Sequence, residues 1–141
     1  MNIRRATNAD TGVMRRLWDE FTVEATFAPY PGNPFQSALV TDHIALLAEE
    51  DGAPVGTVYA NLASPHFGFV FGLYTIPAAR GKGVGRALMR EIAAVLRDQG
   101  RRYVLLNVDT PNEDARAFYE RLGFTDAARM LRADVEDLLH D

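Results

Sequence analysis

The sequence contains no cysteine. Disulfide staples, thiolate metal sites and a cysteine nucleophile are therefore excluded, and a group transfer has to proceed without a cysteinyl intermediate. An excess of positive charge is also missing. The chain carries 15 Lys and Arg against 19 Asp and Glu, a formal net charge of −4. A field of that sign does not draw in nucleic acid or an anionic membrane, and neither partner is expected. Any anion site must be built locally. No apolar run approaches the roughly eighteen residues of a membrane span. The opening Met1-Asn2-Ile3-Arg4-Arg5 has no apolar stretch behind its arginines, which predicts no secretory leader and a cytoplasmic location.

What is present is globular material. At 141 residues, 48% apolar and 24% charged, the chain can form one domain over 1–141 with a core of its own. Ile3 to Ala6 is predicted as a first strand, with Asn8 or Asp10 capping the helix that follows. Met14, Leu17, Trp18 and Phe21 then repeat at helical spacing and define one apolar stripe. From Phe27 to Phe35, three prolines and a glycine predict a long irregular loop, a kind of segment that often carries function.

Ile44 to Ala48 and Val55 to Leu62 are predicted as a hairpin around the polar turn 49–54. Phe67 to Ile76 is an apolar strand in which Gly68 and Gly72 mark a bulge or a close backbone approach. Gly83 to Gln99 reads as a helix with Val84, Leu88, Val95 and Ile92 or Leu96 inward, ended by Gly100. Tyr103 to Val108 is expected as a buried strand. Asn112 is expected to cap a short helix that turns Ala115, Phe118 and Leu122 inward and stops at Gly123. One or two last strands from Phe124 to Leu131 and a helical turn from Val135 to Leu139 complete a mixed α/β order. It lacks the regular alternation of a doubly wound sheet.

The most informative stretch is Leu73-Tyr74-Thr75-Ile76-Pro77-Ala78-Ala79-Arg80-Gly81-Lys82-Gly83-Val84-Gly85-Arg86. A strand enters a glycine turn, and the turn opens a helix. Successive N–H groups and the helix dipole converge there, with Arg80, Lys82 and Arg86 around them, which suits a pyrophosphate. A nucleotide-hydrolysing P-loop would need Ser or Thr after Gly-Lys, and Gly83 is followed by Val84. A dinucleotide fingerprint would need a third glycine at Arg86. A turn that merely lets strand and helix pack closely is the remaining alternative.

Arg80-x-x-Gly83-x-Gly85 resembles the acyl-CoA motif of the GNAT superfamily of N-acyltransferases. Leu73-x-Thr75-x-Pro77 leads in as that family's fourth strand does, with Thr75 where valine is commoner. Asn112-x-x-Ala115-x-x-x-Tyr119-x-x-x-Gly123-Phe124 is similar to its second motif. The match covers about residues 67 to 125. The resemblance implies a mixed, mostly antiparallel sheet flanked by helices and splayed between strands four and five. It implies acetyl-CoA as cosubstrate and no metal. Backbone groups of Leu73, Tyr74 and Thr75 would pair with pantetheine, the Leu73 N–H stabilising the thioester oxygen. Arg80, Gly81, Lys82, Gly83, Val84, Gly85 and Arg86 would hold the pyrophosphate, chiefly through main-chain N–H groups, with Asn112 also near the cofactor. Tyr119 would be the general acid toward the CoA sulfur.

The implied activity is acetyl transfer to a primary amine by direct attack in a ternary complex, with a small-molecule amine favoured over a protein N-terminus. A non-catalytic acyl-CoA-binding or sensing module is the alternative. The family often dimerises, so a homodimer is a further expectation of the resemblance. Phe67, Phe69 and Phe71 stand where some relatives carry a glutamate, which leaves Glu24, Glu49, Asp109 and His66 open as bases. Glu24 with Phe27, Tyr30 and Phe35 could receive a cationic amine, or the rings could simply cover the sheet.

Overall fold

A computed structural model describes residues 1–24, 43–108, 111–129, 131 and 133–140. Its five-stranded sheet follows chain order, β1 (Asn2–Arg5), β2 (His43–Glu50), β3 (Ala53–Asn61), β4 (Phe67–Thr75) and β5 (Tyr103–Leu105). Neighbours from β1 to β4 are antiparallel, whereas β4 and β5 are parallel. The helices are α1 (Thr11–Glu24), α2 (Val84–Asp98), α3 (Glu113–Arg121) and α4 (Val135–Leu139).

One apolar layer lies between the sheet and α2, where Val84, Leu88, Met89, Ile92 and Leu96 are buried. Both Ile92 and Leu96 face inward, and Val95 is only partly covered. Two glycines seat this helix. A Cβ at Gly56 would meet Val84 and Leu88, each at 3.1 Å, and one at Gly68 would run into the Leu96 side chain. Close approach is thus the role of Gly68. The other layer joins α1 to the opposite face, with Met14, Leu17 and Trp18 buried against Ala45, Leu47, Tyr59 and Tyr74. Trp18 meets Tyr59 edge-on at 5.6 Å between ring centroids, an arrangement aromatic quadrupoles favour.

Several expectations change. Neither Asn8 nor Asp10 caps α1 directly. Thr7 precedes a 3-10 turn, Asn8–Asp10, and the buried Asp10 carboxylate accepts from the Thr7 N–H at 2.7 Å. Arg4 binds the same carboxylate through both terminal nitrogens, at 2.8 and 2.9 Å, and reaches Glu49 at 2.8 Å. The start of α1 is thereby tied to β1 and β2. β5 has only three residues, with Tyr103 exposed and the others partly covered, so it is not the buried strand expected over 103–108. Gly100 follows the end of α2 with φ +79°, as predicted. From Phe124 to Leu131 no strand forms among the described residues, so the last strand or two expected there are absent from them. The Phe27 to Phe35 loop lies outside the described residues.

Candidate active site

β4 carries a bulge. Tyr59 of β3 pairs with Phe71, but Thr57, two residues back, pairs with Tyr74, three residues on. The extra residue falls at Gly72, whose φ of +65° is the left-handed conformation that glycine tolerates. Thr57, also buried, donates its hydroxyl to the Gly72 carbonyl at 3.3 Å. The bulge shifts alternation, so that Phe71 and Tyr74 both face the α1 layer while Leu73 packs on the α2 layer.

Parallel pairing of β4 with β5 runs Phe67 to Tyr103, Gly68 to Val104 and Phe69 to Leu105, and reaches no further among the described residues. Leu73, Tyr74 and Thr75 lie beyond its end. The sheet is splayed there, as expected. The Tyr74 ring is buried and its hydroxyl donates to Glu20 of α1 at 3.2 Å, so its side chain is turned away from the gap.

After the 3-10 turn Pro77–Ala79, Gly81 and Gly83 adopt φ of +78° and +85°. Gly83 is the N-cap residue of α2, and no side chain caps the helix. The first intrahelical bond runs from the Ala87 N–H to the Gly83 carbonyl at 3.0 Å. The N–H groups of Val84, Gly85 and Arg86 therefore have no helical carbonyl to donate to. These donors, the exposed Lys82 and Arg86 and the dipole converge on one cradle, with Val84 buried beneath, and its chemistry suits an anion. A Cβ on Gly85 would come within 3.3 Å of the Phe118 ring and 3.9 Å of Thr75 Oγ1. Gly85 thus brings the cradle against α3.

Arg80 differs from the rest. Its N–H donates to the Pro77 carbonyl at 3.3 Å, its Nε to the Thr75 carbonyl at 2.9 Å and its Nη2 to Glu24 at 2.6 Å. None of these contacts is aimed at the cradle. Asn112 caps α3 as predicted, accepting from the Ala115 N–H at 3.1 Å. Tyr119, on α3, packs its ring between Phe118 and Phe124, with centroids 5.2 and 5.6 Å away. Burial pushes its phenol up to about 12. Tyr119 thus stays protonated at neutral pH, the form a hydrogen-bond donor requires.

Of the proposed bases, Glu24 is paired with Arg80, and Glu49 is held by Arg4 with β3 standing between it and β4. His66 is exposed just before β4, and Asp109 lies outside the described residues. Sequence reasoning missed Thr57, Glu20 and Phe118 as parts of this region. Gly72 in an apolar strand signalled the bulge, but no local pattern pointed to its distant partner.

The profile of the acetyltransferase (GNAT) family matches residues 11–124. The chain belongs to that family. The mycothiol acetyltransferase of Beutenbergia cavernae is 38% identical over 78 residues, 55% of this chain and 26% of that protein. A 5-NmdU N-acetyltransferase of Pseudomonas phage PaMx11 is 49% identical over 53 residues, 38% of this chain and 36% of the phage protein. The chain thus spans about a quarter to a third of the length of such curated relatives. Among solved structures, a predicted acetyltransferase with acetyl-CoA from Clostridium acetobutylicum superposes with a TM-score of 0.80 at 17% identity, over 99% of both chains. An aminoglycoside N-acetyltransferase in complex with CoA gives 0.77 at 17% identity, over 94% of this chain and 98% of that one. These two likenesses establish a shared fold.

Proposed function

We propose that this GNAT-family chain transfers an acetyl group from acetyl-CoA to the amine of a small molecule. The observation that carries this is the uncapped α2 N-terminus with its open Val84, Gly85 and Arg86 N–H groups, set beside the unpaired end of β4. A phosphate chain fits the first feature and an extended, amide-bearing arm the second. The acetyl-CoA-bound neighbour and the small-molecule acetyltransferases among the relatives support both halves of the reaction.

In this reading Gly81, Lys82, Gly83, Val84, Gly85 and Arg86 hold the pyrophosphate, and the main chain of Leu73, Tyr74 and Thr75 pairs with the pantetheine arm. The Leu73 N–H stabilises the thioester oxygen as charge develops. The amine nitrogen bonds to the acetyl carbon, the C–S bond breaks, Tyr119 gives the sulfur a proton, and water carries the proton lost by the amine back to the tyrosinate. Until that transfer the phenol, as a hydrogen-bond donor, lowers the charge building on the departing sulfur. Asn112 holds the start of α3 and with it the height of Tyr119. Placing both reactants side by side supplies much of the acceleration.

Calorimetry with acetyl-CoA, followed by thiol release with pooled amines and mass spectrometry of the products, tests the proposal. Binding with amine-dependent release supports it. Binding without release from any amine makes the chain an acyl-CoA-binding module, and no binding removes the cradle.

A further inference from the structure

We propose that Arg80 is a positioning residue that couples the cofactor turn to the last turn of α1, and that it is not itself a ligand of the phosphates. The inference rests on the proposed acetyl-CoA cradle and assigns one of its residues a different task. The Arg80 N–H is engaged by Pro77, and two of its three guanidinium nitrogens are engaged away from the cradle, Nε by Thr75 and Nη2 by Glu24. The guanidinium carbon also sits 5.7 Å from the Tyr74 ring centroid. Bridging a carbonyl and a carboxylate while facing a ring uses the planar fork of arginine, which lysine does not have.

Tyr74 reaches the same helix through Glu20. Glu20 and Glu24 stand one turn apart on one face of α1, so β4 and the cofactor turn grip that helix at two successive points. Phe21 fills the space between, 6.4 Å from Tyr74 and 5.2 Å from Trp18 by ring centroids. Contacts thus run from Arg80 through Tyr74 and Phe21 to Trp18. The cradle glycines begin at the residue after Arg80. A ligand that settles the turn therefore fixes Arg80, and Arg80 fixes Glu24. The Arg80–Glu24 pair is about half exposed on both sides, and such a pair adds little stability. Its contribution is coupling between two places.

Trp18 is the chain's only tryptophan and serves as a reporter. CoA is titrated into the full chain with heat and Trp18 fluorescence followed in parallel, for wild type, Glu24→Gln, Arg80→Lys and the double variant. Wild type should give a saturable Trp18 change with the same midpoint as the heat. Either single change should leave CoA affinity within about fivefold, the scale of an exposed ion pair, and abolish most of the Trp18 change. The double variant should be no worse than either single one, as partners in one contact behave. An undiminished Trp18 change in Glu24→Gln overturns the proposal. So does a silent Trp18 in wild type while heat records binding, or an Arg80→Lys variant that alone loses CoA affinity tenfold or more. Absence of heat with wild type overturns the cradle itself, and the coupling with it. If Arg80→Lys does not fold by circular dichroism, Glu24→Gln, at an exposed position, decides alone.

Discussion

The Thr57 hydroxyl donates to the carbonyl of Gly72 inside the protein, and with that bond one strand fixes the irregularity of its neighbour. Thr57→Val keeps the shape and removes the donor. Loss of one hydrogen bond to a buried carbonyl costs about 1 kcal/mol. Urea unfolding should therefore give an unfolding free energy lower by that amount, with Thr57→Ser close to wild type. Turnover should fall more than acetyl-CoA affinity, because the next residue, Leu73, supplies the N–H proposed for the thioester oxygen. Equal losses in both would place the bulge outside the reacting centre.

Gly83 presents a different demand. A Cβ there meets no atom within 4 Å, so space is not the constraint. Its φ of +85° is, since a left-handed residue with a side chain costs about 1–2 kcal/mol. Gly83→Glu also brings a carboxylate to a place proposed for phosphate. Calorimetry should show acetyl-CoA binding abolished while circular dichroism remains that of a folded chain. Undiminished affinity would contradict the cradle.

Tyr119→Phe removes one oxygen from a ring that stays packed between Phe118 and Phe124. Acetyl-CoA affinity should hardly change, and kcat should fall about a hundredfold, the scale of general-acid contributions. The phenol has a second consequence. Its proton is held up to about 12 in the folded chain, against an ordinary value of 10.0. Above pH 10 the unfolded chain loses that proton first, so stability is lost as pH rises from about 10 to about 12. Tyr119→Phe should flatten that decline in thermal melts, leaving what Tyr59 and Tyr74, also raised by burial, contribute.

Asp10 acts at the other end of the scale. The Arg4 guanidinium holds its carboxyl down at about 2, below the ordinary 3.8. A depressed carboxyl stabilises the fold above its unfolded value, and that stability is lost as pH falls from about 4 to about 2. Asp10→Asn should lower the urea midpoint at neutral pH and show a shallower loss through the acid range. An unchanged acid profile would mean that the Arg4–Asp10–Glu49 knot does not hold β1 to the start of α1.

The legible parts of this fold were those written in local pattern. The stripe Met14, Leu17, Trp18 and Phe21 located α1, and the glycine turn after β4 located the start of α2. What escaped notice depended on partners far along the chain. Asn8 and Asp10 are both good caps by type, and only the contact with Arg4 explains why Asp10 turns back toward Thr7. An apolar run from Tyr103 to Val108 looks like a buried strand, yet β4 gives it partners only as far as Leu105. The place of Arg80 in the glycine motif is visible in the sequence, whereas its contact with Glu24, 56 residues earlier, is not.

The early end of the β4–β5 ladder has a bearing on how the chain behaves when its substrate is scarce. Beyond Phe69, β4 continues from Val70 to Thr75 with no β5 partner among the described residues. A run of unpaired main-chain groups is a template on which an extended segment of another molecule can add. Most sheets carry that hazard at the rim, where charge or a bulge blunts it. Here it opens between two strands of one sheet, at the place proposed for pantetheine. The thioester's carrier arm would then double as a plug against self-association, and protein warmed without CoA would become turbid before protein warmed with it.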